Sequence, residues 1–164
     1  MNLRFRLLLP AALIVLSAGH AGAQVLDAAA LKKAVPDSFF FAGQSAPVQM
    51  RNAVGLKNSS GKLVLAAMVD TSGYSTAVAE RYQGLLITET SVKFGDSTLE
   101  PGAYGFGFSN EGKFTVMNIA GTDVFSVGSK KDDELKRAVP LKLEKEGDDY
   151  RLYAGKKYVV LKAD

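Results

Sequence analysis

The 164-residue sequence has no cysteine, no tryptophan and only one histidine, His20. Without thiols there are no disulfides, no thiolate metal sites and no cysteine nucleophiles. The lone imidazole falls within the first 23 residues, which read as a leader. Removing them leaves 141 residues and no histidine at all. Ser-His-Asp and Cys-His catalysis, His-ligated zinc and His-ligated haem are then excluded too. A large excess of either charge is also lacking. Arg4 and Arg6 leave with the leader and no acid does, so the net charge falls from +3 to +1. That balance argues against a nucleic-acid partner, which needs a concentrated basic face. The lysine pairs at 32–33, 130–131 and 156–157, with Lys136-Arg137, are dispersed and lie near acids such as Asp132, Asp133 and Glu134. They read as solvated surface charge.

The leader carries the three parts of a secretory signal peptide. Arg4 and Arg6 supply positive charge, Leu7 to Ala18 is apolar, and Ala21-Gly22-Ala23 offers small residues for cleavage before Gln24. The apolar run is about a dozen residues where a spanning helix needs roughly 20, so no transmembrane segment is expected after processing. The sequence thus reads as an exported protein, periplasmic or secreted. Its organisation is a signal peptide at 1–23, a short helix and lead-in at 24–38, and a single β domain at 39–164. A chain of this size hides roughly two-thirds of its unfolded surface on folding, enough for a core without disulfides.

Asp27 is a natural N-cap for a helix over Ala28 to Val35, and Pro36 stops it. The period then changes to two. Val48, Met50, Asn52, Val54 and Leu56 alternate with more polar partners, as in a half-buried strand. Leu63 to Val69 is apolar on both faces and is placed centrally, covered on both sides. A short helix is read at Thr76 to Tyr82 and one helical turn at Asp132 to Arg137. About ten strands, punctuated by turn residues and without a βαβ rhythm, predict an all-β fold: an antiparallel β-sandwich, or alternatively a small β-barrel, with a short N-terminal helix. An outer-membrane barrel is rejected, because the chain ends Lys162-Ala163-Asp164 and strand 48–57 has no clean lipid face.

The most informative segment is Leu99-Glu-Pro-Gly-Ala-Tyr104-Gly-Phe-Gly-Phe108. Pro101 presets a turn and Gly102 is expected to supply a positive φ. Tyr104, Phe106 and Phe108 then share one face of a strand, which must be buried or bound, while Gly105 and Gly107 share the other. A side-chain-free strip lets a flat ligand approach the backbone, unless a neighbouring side chain or a crossing helix fills it. Leu-x-Pro-Gly-x-Tyr resembles the tyrosine corner of immunoglobulin-like sandwiches, where the hydroxyl bonds upstream backbone. With Val139-Pro140-Leu141 and Arg151 to Tyr158, the segment is also similar to an exported bacterial family of unknown function. That likeness implies no catalytic or binding residue.

Other patterns are weaker. Val69-Asp-Thr-Ser-Gly73 has Ser72 where an aspartic protease requires glycine, so Asp70 reads as a turn residue that accepts backbone N–H bonds. Ser59-x-x-Lys62 lies in a turn and lacks the accompanying Lys-Thr-Gly strand. The acids at 132–134 and 148–149 lack calcium-loop spacing. No catalytic residue, metal site or cofactor is assigned. The reading is an exported non-enzymatic β module that binds a protein, an envelope glycan or a small apolar ligand, with Tyr104, Gly105, Phe106, Gly107 and Phe108 as its candidate lining. The alternatives are a carboxylate-based polysaccharide hydrolase or lyase, and a structural component of an envelope assembly.

Overall fold

A computed structural model describes residues 23–163, so the expected leader, apart from Ala23, lies outside the described residues. Asp27 caps α1 (Ala28–Ala34): its Oδ1 accepts the Ala30 N–H at 2.8 Å. The strand β1 (Gln24–Val25) precedes it, and β2 (Ser38–Phe41), β3 (Gln44–Lys57) and β4 (Leu63–Val69) follow. Ser75 caps α2 (Thr76–Arg81). After it come β5 (Gly84–Thr88), β6 (Val92–Phe94), β7 (Ser97–Leu99), β8 (Gly102–Phe108), β9 (Lys113–Asn118) and β10 (Asp123–Gly128). The remaining strands are β11 (Lys130–Lys131), β12 (Val139–Glu146), β13 (Asp149–Gly155) and β14 (Lys157–Ala163).

Every pairing is antiparallel. The first sheet runs β1-β3-β4-β5-β8-β9-β10, with β2 also on β3; the second runs β12-β13-β14-β6-β7, with β11 also on β14. The two sheets enclose a shared core and do not close into a barrel, so the fold is an all-β antiparallel sandwich with a short N-terminal helix. Leu56, Val64, Leu86, Phe94, Phe106, Phe114, Tyr150 and Leu152 form the core between the sheets. A second core lies on the outer face of the first sheet, where Leu31 of α1, Phe39 and Phe41 of β2, and Tyr82 cover Leu65, Leu85 and Met117. The run Leu63 to Val69 is apolar on both faces for this reason: Val64 and Ala66 face one core, Leu65 and Ala67 the other.

Three local expectations are corrected. Val48 to Leu56 do not share one face, because β3 pairs Val48 with Val69 and then Ala53 with Ala67. The chain between them bulges out of register, and parity inverts across it. Val48 and Met50 join the outer core, whereas Val54 and Leu56 join the inner one. Residues 132–137 form no helix. Asp132 instead binds three groups: its N–H donates to the Lys156 carbonyl, Oδ1 accepts the Glu134 N–H, and Oδ2 accepts the Tyr153 hydroxyl. Gly102 does not have a positive φ. Its lack of a side chain lets the end of the Tyr104 ring lie over it, with ring carbons 2.9–3.0 Å from where a Cβ would stand.

Candidate functional site

Strand β8 delivers the aromatic face as the alternation requires. Phe106 and Phe108 point into the inter-sheet core, 0% and 4% exposed, and pack on Phe114 with ring centroids 5.7 and 4.9 Å away. Tyr104 is half-buried at the sandwich corner, and its hydroxyl donates to the Glu100 carbonyl at 3.0 Å. The glycine face is filled from outside. A Cβ on Gly105 would stand 2.6 Å from the Tyr82 ring, and one on Gly107 would meet the Arg81 and Glu80 carbonyls. The end of α2 therefore lies directly on this strip. Tyr82 itself is 3% exposed, stacks on Phe41 at 4.4 Å, and leaves its hydroxyl without a hydrogen-bond partner.

Two residues of this segment do border open clefts. Gly107 edges a shallow depression of about 410 Å³ beside Arg81 and Asp123. Phe108 edges a larger cleft of about 620 Å³ at one end of the sandwich. The larger cleft is the candidate site. Its apolar wall is Met68, Phe108, Val139 and Pro140, and its polar wall includes Asn110, Lys131, Lys156 and Lys157. Among the described residues, no Asp or Glu lines it.

The lysines come together through strand pairing. β11 pairs with β14 and sets Lys131 opposite Lys157, with Lys156 adjacent. Lys157 is anchored by neutral oxygens: Nζ donates to the Ser109 carbonyl at 2.7 Å and to Asn110 Oδ1 at 3.2 Å. Lys131 forms an ion pair with Asp133 at 2.6 Å. That hydrogen bond holds the Asp133 carboxyl below its ordinary value, with Lys156 adding a smaller pull. The opposite rim is fixed by Gln83, whose Oε1 accepts the Phe108 N–H while Nε2 donates to the Phe108 carbonyl, both at 3.0 Å. The sequence reading treated these lysines as separate surface charges. Their convergence across 25 residues of chain carries no local signature.

Behind the cleft, on the outer face of the second sheet, lies a cluster that the sequence reading also missed. The Arg151 guanidinium stacks 4.7 Å from the Tyr158 ring centre, grips Glu146 through two nitrogens, and donates to the Tyr153 hydroxyl at 3.3 Å. Lys142 lies 5.4 Å from the Tyr153 ring centre and pairs with Glu144 at 2.7 Å. Burial raises the Tyr153 phenol above its ordinary value; the bond from Arg151 lowers it and the bond to Asp132 raises it further. Each member of this cluster has a partner within it. Tyr153 ties it to segment 130–138, its hydroxyl donating to Asp132 Oδ2 at 3.0 Å.

The acid chemistry weighed from the sequence finds no convergent pair in the cleft. Asp70 accepts the Ser72 N–H at 3.0 Å in its turn, and Ser72 lowers its carboxyl below the ordinary value. Asp123 is held by Arg81 at 2.5 Å. No protein-family model matches this chain, and no curated protein or solved structure gives a significant match.

Proposed function

We propose that the chain is an exported, non-enzymatic binding module, periplasmic or secreted, whose basic cleft takes an acidic envelope glycan. The observation that carries this reading is a cleft of about 620 Å³ lined, among the described residues, by three lysines and no acid. Lys157 is held by a carbonyl and an amide oxygen, so its positive charge stays available. Ligand carboxylates or sulfates would meet the ammonium groups, and the C–H faces of sugar rings would rest on Val139, Pro140 and Met68. Hydrolysis would require two facing carboxyl groups, and none lines the cleft.

The test is calorimetric titration with oligogalacturonate, neutral dextran oligosaccharide and a single-stranded DNA oligonucleotide. Oligogalacturonate is expected to bind with an affinity that falls as salt rises. Lys156→Ala with Lys157→Ala should weaken it about tenfold or more, in a variant whose circular dichroism is unchanged. Equal binding of dextran, tighter binding of DNA, or indifference to the lysine substitutions would overturn the reading.

A further inference from the structure

Among the described residues, β10 is the end strand of the first sheet and pairs on one side only, with β9. The register matches Phe125 with Val116, Ser126 with Thr115, Val127 with Phe114 and Gly128 with Lys113. Ser129 continues it, donating its N–H to the Gly112 carbonyl at 2.7 Å. Hydrogen-bonded and non-hydrogen-bonded pairs alternate in an antiparallel ladder. Phe125 and Val127 therefore turn their peptide groups toward β9, and Ser126 and Gly128 turn theirs to the free edge. Two donors and two acceptors stand in line there.

The other ends of the sheets are guarded. β12 carries Pro140, Lys142 and Lys145; β7 is three residues long, and β1 only two. Short strands, prolines and charges are the usual protections of an edge. The sequence of β10, Asp-Val-Phe-Ser-Val-Gly, has no proline and no basic residue. A bulge at Val124 distorts its first part, yet that side chain remains 45% exposed. Beside its last part the surface is hollow: a groove of about 510 Å³ borders Val127, Gly128 and Lys130.

We propose that this edge pairs with β10 of a second copy of the chain, antiparallel about a twofold axis at Val127. Ser126 of each copy then exchanges both backbone hydrogen bonds with Gly128 of the other. The same axis carries Asp123, at the start of the strand, toward Lys130, which follows its end, in both directions. Asp123 already holds Arg81 and is still half exposed, with room for a second cation. Such an interface is isologous and closed, so pairing stops at the dimer and does not propagate. The first sheets of the two copies join into one.

The test is sedimentation velocity from micromolar to near-millimolar concentration, together with amide exchange. The wild-type chain is expected to dimerise, more weakly at high salt, and exchange at Ser126 and Gly128 should slow as concentration rises. Ser126→Pro removes an outward N–H and spares the β9 ladder; Val124→Lys places a charge on the exposed edge. Each should weaken the dimer about tenfold or more. If Ser126→Pro fails to fold, Val124→Lys, which touches no ladder bond, decides the matter. A wild type that stays monomeric at near-millimolar concentration overturns the proposal. So does a dimer that survives both substitutions, or one without slower exchange at Ser126 and Gly128.

Discussion

A buried phenol with nothing to bond is a cost that single-residue changes can expose. Tyr82 sits on Gly105 and Phe41 with its hydroxyl unpartnered. Tyr82→Phe should keep the packing, remove the desolvated oxygen and raise unfolding free energy by about 1 kcal/mol in a urea titration. Gly107 is the opposite case. A Cβ there meets the Arg81 carbonyl, which is backbone and can yield only if α2 moves. Gly107→Ala should lower stability by about 2–3 kcal/mol in the same assay. At the hairpin tip between β2 and β3, Ala42 and Gly43 both have positive φ, 45° and 75°, which is glycine and asparagine territory. Ala42→Asn relieves that strain and should raise stability by about 0.5–1 kcal/mol. At this scale the aromatic alternation of Tyr104, Phe106 and Phe108 was legible. That a crossing helix could fill the glycine side was legible as well; which helix does so was not, because α2 arrives from a separate stretch of chain.

Strand and helix identities follow from local chemistry, and that part was readable: Asp27 as a cap, Leu63 to Val69 as a strand buried on both faces. The bulge in β3 escaped because period two continues through it in the sequence while the pairing slips underneath. Segment 130–138 escaped for a different reason. Its acids and lysines suit a helical turn, yet Tyr153 is available across the sheet to bind Asp132. That bond, with the β11–β14 pairing, fixes the segment that supplies one wall of the cleft. Tyr153→Phe should therefore speed amide exchange at residues 130–137 about tenfold or more, while amides of β4 and β5 stay protected. Uniform exchange across the second sheet would show that Tyr153 acts through the core and not through this segment.

For the molecule as a whole, buried phenols set the alkaline limit. Burial raises Tyr150 above its ordinary value of 10.0, and Tyr153 is raised as well. A group raised on folding contributes stability that is intact below its unfolded value and is lost as pH rises through its folded value. The melting temperature should hold steady in this respect up to about pH 10 and fall above it, and Tyr150→Phe should flatten the fall. The basic cleft belongs to this scale too. It exists only once Lys131, Lys156 and Lys157 are assembled from different strands, so no window of sequence contains it. The order of assembly has its own consequence. β14 joins β6 through Lys162 opposite Lys93 and Ala163 opposite Val92, about seventy residues apart in the chain. A polypeptide made from its N-terminus can complete the first sheet by residue 128. Phe94 of β6 can already pack on Phe114 and Phe125 of that sheet, but the backbone edge of β6 must wait for residues 162 and 163. The second sheet can therefore be completed only once residues 162 and 163 have been made, and a nascent chain stalled just before them would remain vulnerable to proteases along that seam.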